Sequence, residues 1–330
     1  MHFAFTADQI GLHSGLRDLL IEVCTPEVVR AAWSPSPEPV RRLWKQLGEV
    51  GLLGLLAHEE DGGMGASEVE LVLLLEECGR FAVPGPVGEH IAAAVPALAT
   101  SGAPEAASAI TGETITTARE PTSDRVRWIT TADFVVHPDQ GGLRLTARTD
   151  FDLGPELPSV DRSVPSARVT PRRTRELPGA EAALFRHRAT LATAAQLIGL
   201  ADRMIAMAGE YVKVRTQFGK PVGSQQAVKH RLATALISLE HARPVVYRAG
   251  WVLAADAADP GLAISFAKLY ATRAADLAAR TALQCHGAIG YTWEHDLHLW
   301  IKRAWTLGTA WGTPAAHGDI VASAVLDARY

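Results

Sequence analysis

Cysteine is scarce: Cys24, Cys78 and Cys285 are the only three in 330 residues. They are odd in number, far apart and outside any CxxC or metal-ligand spacing, which excludes a disulfide scaffold or a zinc ribbon and points to a reduced, cytoplasmic setting. Lysine is scarcer still for its class, with six among 32 basic residues, and 36 acids leave a net charge of −4. No basic face of the kind a nucleic-acid partner requires emerges from that balance. The one locally basic stretch, Pro171-Arg172-Arg173-Thr174-Arg175-Glu176, reads as a solvated loop. Proline, glycine or a charge interrupts every apolar run before the ~18 residues a membrane span needs. The amino terminus, Met1-His2-Phe3-Ala4-Phe5-Thr6, lacks a basic segment followed by an apolar one. The expectation is a soluble cytoplasmic protein with no nucleic-acid and no membrane partner. What is present, 48% hydrophobic and 21% charged residues, suits a globular core.

Three stretches differ in pattern. Residues 1–112 are helical: Leu12, Leu16, Leu19, Leu20 and Val23 recur at helix spacing, and Ser67 with Glu70 forms a capping box that opens the apolar helix Val69 to Cys78. Within 113–178 the period shortens. Thr114–Thr117, Val126–Thr130, Phe134–Val136 and Leu143–Thr146 are short, β-branched and punctuated, which predicts small antiparallel strands. The stretch from Asp150 to Pro171 holds four prolines and predicts loop with at most one strand. Residues 179–330 turn helical again. Ala182–Val214, 225–258 and Leu262–Cys285 are the long candidates of an up-and-down bundle, joined by short turns at Gly219–Gly223 and Asp259–Gly261.

Two segments stand out in the last stretch. Arg215-Thr-Gln217-Phe218-Gly219-Lys-Pro221, followed by Gln226, joins one helix to the next and places an arginine and amides near a helix N-terminus, a setting that suits an anion. Gln284-Cys-His286-Gly287-Ala288-Ile-Gly290 closes another helix. Together they resemble the acyl-CoA dehydrogenase family, through its Arg-x-x-Phe-Gly-x-Pro turn with a later Gln and its Gln-x-x-Gly-Gly-x-Gly segment, although Ala288 replaces one glycine. Glu59-Glu60-Asp61-Gly62-Gly63-Met64-Gly65 is similar to the family's amino-terminal loop, and the α, β, α-bundle order is the family's order. The resemblance implies a mostly α fold with a small β domain: an N-terminal helical domain, a reduced middle β domain and a C-terminal four-helix bundle. It also implies FAD. Arg215 would serve its pyrophosphate, with Gln217, Phe218 and Gln226 nearby, and Gln284, His286, Gly287 and Gly290 would border the adenosine and pyrophosphate across a subunit interface. Arginine suits phosphate through its planar fork of donors, and glycines let backbone N–H groups approach an anion.

The family reaction is α,β-desaturation of an acyl-CoA thioester and needs a carboxylate at the α-proton. In the family that Glu lies in a segment that corresponds to Ala310-Trp311-Gly312-Thr313-Pro314, where Trp311 stands in its place, or early in the first bundle helix, where 188–200 holds no acid. The segment that embraces the flavin ring is represented by Ala118-Arg119-Glu120-Pro121-Thr122-Ser123-Asp124, without its Ala-Gly pair. The chain therefore resembles the subunit of an actinobacterial heterotetrameric (α2β2) dehydrogenase, acting on steroid side-chain CoA thioesters, that carries no base. That implies a homologous partner with the base and electron-transfer flavoprotein as acceptor. Two other readings stay open: a self-sufficient flavoenzyme using Glu294 or Asp296, and a flavin-free scaffold of the same fold.

Overall fold

The computed structural model describes residues 4–327 except 35, 122, 140 and 258. Thr122 of the flavin-ring segment and Ala258, the expected end of the second long helix, lie outside the described residues. The chain divides into two compact units, one of residues 1–74 and 83–192, the other of 75–82 and 193–330.

The first unit opens with helices α1 (Ala7–Val23), α2 (Pro26–Ala31) and α3 (Glu38–Glu49), and α4 (Glu68–Arg80) begins in it. Ser67 and Glu70 cap the helix start, with the Ser67 hydroxyl turned to the second amide of the helix. Glu70 accepts the Ser67 backbone N–H at 2.9 Å while the Ser67 hydroxyl accepts Val69 N–H at 3.2 Å, satisfying donors that a helix start leaves unpaired. A π-helical turn over Glu89–Ala94 leads into α5 (Val95–Thr100), and α6 (Glu105–Ile110) follows. His90 ties this region to the first strand: Nδ1 accepts from Thr116 N–H at 3.0 Å, so Nε2 carries the proton and donates to Ala109 O at 3.0 Å. Burial holds its pKa down to about 4 against the pull of those backbone bonds, so the ring is neutral. Asp133 receives both terminal nitrogens of Arg41 and the Ile115 N–H, which fixes α3 to the start of the β region.

Two sheets share one core in this unit. β1 (Thr116–Ala118), β3 (Phe134–Asp139), β4 (Gly142–Ala147) and β7 (Arg175–Glu176) make one, in the order β1-β3-β4-β7. β2 (Arg125–Arg127), β6 (Ser166–Pro171) and β5 (Phe151–Leu157) make the other, in the order β2-β6-β5. Val126, Ile129, Val135, Phe151, Ala167 and Val169 pack between them.

Three expectations are corrected here. β1 pairs with β3 in parallel, because 15 residues of β2 and turn separate them and carry the chain back to the same end. The stretch 150–171 holds two strands rather than one, since its prolines avoid the ladder: Pro155 falls in a register shift between Leu153 and Glu156, Pro158 and Pro165 lie between the strands, and Pro171 ends β6. Trp128 to Thr130 leave the strand. Trp128 has a positive φ of 58° and starts a turn that Trp128 N–H, donated to Pro165 O at 2.6 Å, and Thr131 N–H, donated to Trp128 O at 2.9 Å, hold in place.

The second unit is built on α7 (Ala182–Val214, from Thr193 onward), α8 (Gln226–Ala254), α9 (Pro260–His286), α10 (Leu297–Gly308) and α11 (Pro314–Asp327). α7 has the bounds its apolar periodicity predicts, α8 and α9 differ from theirs by a few residues, and α10 and α11 are two further helices beyond the three long candidates. The expected turn at 219–223 is a β-hairpin, β8 (Thr216–Gln217) with β9 (Lys220–Pro221). Ala267, Ala271, Ala274, Ala278 and Ala282 bury one stripe of α9, which lets α8, α10 and α11 lie close to it. Gly79 of α4 and Gly199 of α7 meet backbone to backbone: a Cβ on the first would strike Gln196 O and one on the second would strike Glu76 O. Among the described helices α7 alone is long and apolar enough to cross a membrane, and 78% of that window is buried in the molecule, as befits a central bundle helix.

Candidate functional site

The hairpin after α7 is shaped by two residues with positive φ, Phe218 at 51° and Gly219 at 77°, the pattern of a type I′ turn. Glycine accepts that conformation without strain; phenylalanine does not, and Phe218 is 94% exposed at the tip. A strained, solvated aromatic ring is costly in a free surface and suits a surface that another body covers. Arg215 is pinned through its backbone, donating its N–H to Tyr211 O at 2.9 Å and accepting Val222 N–H at 2.8 Å, while its side chain stays in solvent. Gln217 and Gln226 are exposed on the same hairpin and on the first residue of α8. From Tyr211 to Leu239 the chain carries Lys213, Arg215, Lys220, Lys229 and Arg231 and no acid. Among the described residues no carboxylate pairs with Lys213, Arg215 or Lys220. Unpaired cations beside the N-terminus of a 29-residue helix form a positive region.

The second segment lies beside the first. Tyr211, four residues ahead of Arg215, stacks on His286 with ring centroids 4.5 Å apart. His286 is 4% exposed and donates from Nδ1 to Ala282 O at 2.8 Å. Its Nε2 is therefore a lone pair, and that atom is buried without a hydrogen-bond partner. Burial lowers its pKa, with His295 a smaller cause in the same direction. Gly287 leaves α9 at φ 63°, ψ −139°, a conformation reserved for glycine, and nothing lies within 4 Å of where its Cβ would be. Its N–H donates to Leu283 O, and its Cα side is open. Gly290 is buried, and a Cβ there would press on His286 and Leu283, so its space is taken by packing. Gln284 is exposed. The structure thus brings all eight expected residues to one end of the helical unit, six of them with open side chains or backbone and His286 and Gly290 packed beneath.

Tyr211 and His295 belong to this site and were not singled out from sequence. A tyrosine before a helix end and a histidine in a Trp-Glu-His-Asp run carry no signature by themselves; the stacking that joins them is tertiary.

The segment 310–314, which corresponds to the family's base-carrying one, is filled by an indole. Trp311 is 5% exposed with φ 57°, its carbonyl accepts from His317 Nε2 at 2.9 Å, and His317 Nδ1 accepts from the Ser265 hydroxyl at 3.2 Å. From the other side the fully buried Lys268 donates to Gly308 O at 2.9 Å, Gly312 O at 3.3 Å and Thr272 Oγ1 at 3.3 Å. Its charge sits among the last carbonyls of α10, where the helix dipole favours a cation. The other corresponding position, in α7, is used for close contact with α4 at Gly199 and for the ion pair of Arg188 with Glu68 at 2.7 Å.

The first unit carries its own unsatisfied donors. Arg119 folds back to donate from Nη2 to His137 Nδ1 at 3.2 Å, and His137 Nε2 in turn donates to Thr146 Oγ1 at 2.9 Å. Burial first, and the Arg119 charge second, hold the His137 pKa down to about 4. Glu120 pairs with Arg127. Arg119 Nε, Arg127 Nε and the indole Nε1 of Trp128, itself 2% exposed, are buried N–H groups without a hydrogen-bond partner. A cavity of about 490 Å³ in the same unit is lined by Trp33, Ser34, Thr130, Glu156, Ser159 and Arg162, none of them an expected site residue.

Residues 6–115 match the family model described as acyl-CoA dehydrogenase, N-terminal domain, and residues 180–326 match acyl-CoA dehydrogenase, C-terminal domain. The acyl-CoA dehydrogenase IpdE2 of Mycobacterium tuberculosis is 34% identical over 298 residues, which cover 89% of each chain. The ChsE4-ChsE5 complex of M. tuberculosis contains a chain of the same fold, with a TM-score of 0.85 at 24% identity over 99% of both chains. A chain of the Tcur3481-Tcur3483 steroid ACAD superposes with a TM-score of 0.85 over 98% of both, also at 24% identity. With both terminal domain models matched and that identity to IpdE2 spread along its length, the chain belongs to the acyl-CoA dehydrogenase family.

Proposed function

We propose that this chain is the flavin-supporting, base-less subunit of a heteromeric acyl-CoA dehydrogenase. It holds part of an FAD dinucleotide, and a homologous partner supplies the carboxylate that removes the α-proton of an acyl-CoA thioester. The observation that carries this reading is Trp311. Where the resemblance puts a base there is a buried indole, its own carbonyl held by His317 and those of Gly308 and Gly312 by Lys268, so no carboxylate occupies the segment.

The residues present fit a dinucleotide. Arg215, unpaired and exposed, offers a bidentate fork for a diphosphate, and Gly287, with no atom within 4 Å of where its Cβ would be, lets an anion approach the chain closely. Gln217, Phe218, Gln226 and Gln284 frame the same surface. FAD, when bound, accepts the β-hydrogen of the thioester as hydride. This chain's part is to bind and orient: Arg215 neutralises phosphate charge, Phe218 presents an aromatic face, and Trp311 keeps water and a proton acceptor out of its own segment. The two-protein ChsE4-ChsE5 complex supports the heteromeric reading, and the steroid dehydrogenase named in the Tcur3481-Tcur3483 structure supports a steroid side-chain CoA thioester as substrate. Electron-transfer flavoprotein is the acceptor this reading expects.

The test is to purify the chain alone and co-expressed with a base-carrying acyl-CoA dehydrogenase homologue from the same genome, then record the flavin spectrum and acyl-CoA oxidation. Yellow, active protein from the complex alone is the expected result. Activity from this chain by itself overturns the division of labour; a complex that oxidises nothing and stays colourless indicates a scaffold.

A further inference from the structure

The Tyr211–His286–His295 cluster contains two imidazoles whose proton positions are fixed by different backbone groups. His286 Nδ1 donates to Ala282 O at 2.8 Å, leaving a lone pair on Nε2. His295 Nδ1 accepts the Leu297 N–H at 3.1 Å, leaving its proton on Nε2. The ring centroids are 4.4 Å apart, edge to face at 66°, and Tyr211 stacks on His286 and lies 6.2 Å from His295. One ring thus carries on Nε2 the proton that the other lacks there. We infer that His295 is a positioning residue for the glycine segment 287–290, acting through His286, and that the pair forms an acid-released clasp on that segment.

The physical reason is the cost of a second proton. A proton on His286 Nε2 would stand on a buried atom that has no acceptor among the described residues, in a ring whose centroid lies 4.4 Å from that of a second imidazole. Such a group loses its solvation without a compensating bond. The rings relieve this only by parting, and the chain between them is residues 287–294, which includes the open Gly287. The titratable and charged groups around the pair are Tyr211 from α7, Asp296 beside His295, and Cys285 next to His286, on which Arg231 of α8 acts. Asp296 favours the charged form of His295, yet burial outweighs it and lowers the pKa of that ring as it does for His286. Both rings are neutral at neutral pH.

This inference rests on the proposal that 287–290 meets the dinucleotide, so it is tested by two readouts that fail separately. The first needs no flavin: long-range imidazole ¹⁵N spectra of the complex should show His286 protonated on Nδ1 and His295 on Nε2, and the opposite tautomer at either ring overturns the clasp. The second is the rate of FAD release from the complex, followed by flavin fluorescence. It should rise on the order of tenfold as the pH falls from about 7.5 to about 5.5, and vary by no more than about twofold over that range in His295→Gln, which bonds but does not titrate. His295→Asn, which also offers an acceptor and does not titrate, is the second variant should the first fold poorly. An unchanged pH slope in either folded variant overturns the inference. A complex that binds no FAD at any pH refutes the flavin reading and leaves the tautomer result to decide the clasp.

Discussion

Tyr211 stacks on His286, the ring planes inclined by 21° and the centroids 4.5 Å apart, and this one contact joins the two sequence segments that define the candidate cofactor site. Tyr211 is tied to Arg215 through a backbone hydrogen bond, and His286 precedes Gly287, so the contact joins the base of the Arg215 hairpin to the start of the glycine segment. The consequences below are stated for the protein in its proposed complex unless noted.

Arg215→Ala should lower FAD affinity by about 10- to 100-fold, the loss of a charge-assisted bond of ~1.5–3 kcal/mol. The side chain is exposed and unpaired, so the melting temperature of the apoprotein should not move. Flavin content after gel filtration, together with a thermal melt, checks both halves.

Gly199→Ala should destabilise the helical unit by roughly 1–3 kcal/mol or more, because its Cβ would strike Glu76 O and backbone cannot give way as a side chain can. Urea unfolding measures it. A change of a few tenths of a kcal/mol would mean that α4 and α7 separate more easily than their contact implies.

Stability should fall in acid through His90. Its folded-state pKa, about 4, lies below the ordinary value of 6.5 because burial disfavours the charged ring. Between those values the unfolded chain binds the extra proton, so the contribution is complete above about pH 6.5 and is lost as pH falls to about 4, a change on the order of 3 kcal/mol. His137, shifted in the same direction to about 4, adds to it. Denaturant titrations at stepped pH should show the slope, and His90→Asn should flatten it.

Lys268→Met should cost about 2–4 kcal/mol, since Gly308 O, Gly312 O and Thr272 Oγ1 lose a buried donor at once. The loop that carries Trp311 is released with them. Near-UV circular dichroism and tryptophan emission should report a more mobile, more solvated indole.

Much of this was legible in the chain. The three long helices follow from apolar spacing, and the capping box at Ser67 and Glu70 follows from two residues at a fixed interval, because both depend on neighbours in sequence. The candidate site residues came from two segments and a resemblance, and the structure gathers them at one end of the bundle. What escaped notice has a common cause. The parallel pairing of β1 with β3, the two strands between Asp150 and Pro171, and the hairpin at Phe218 and Gly219 each depend on a partner strand or on a φ value that composition does not announce.

The sequence alone determined that no acid stands at 311 or within 188–200. The tertiary structure decided what fills those places. Trp311 is locked in by Lys268 and His317 from two other helices, and the α7 stretch is spent on a glycine contact with α4. It also decided that His286 lies under the glycine segment with its lone pair unused, beside a histidine nine residues on. Which residue types a chain possesses is settled locally, one position at a time. Which of them end up buried, stacked or left open is settled by the packing of distant helices, where each group must find its partner or go without.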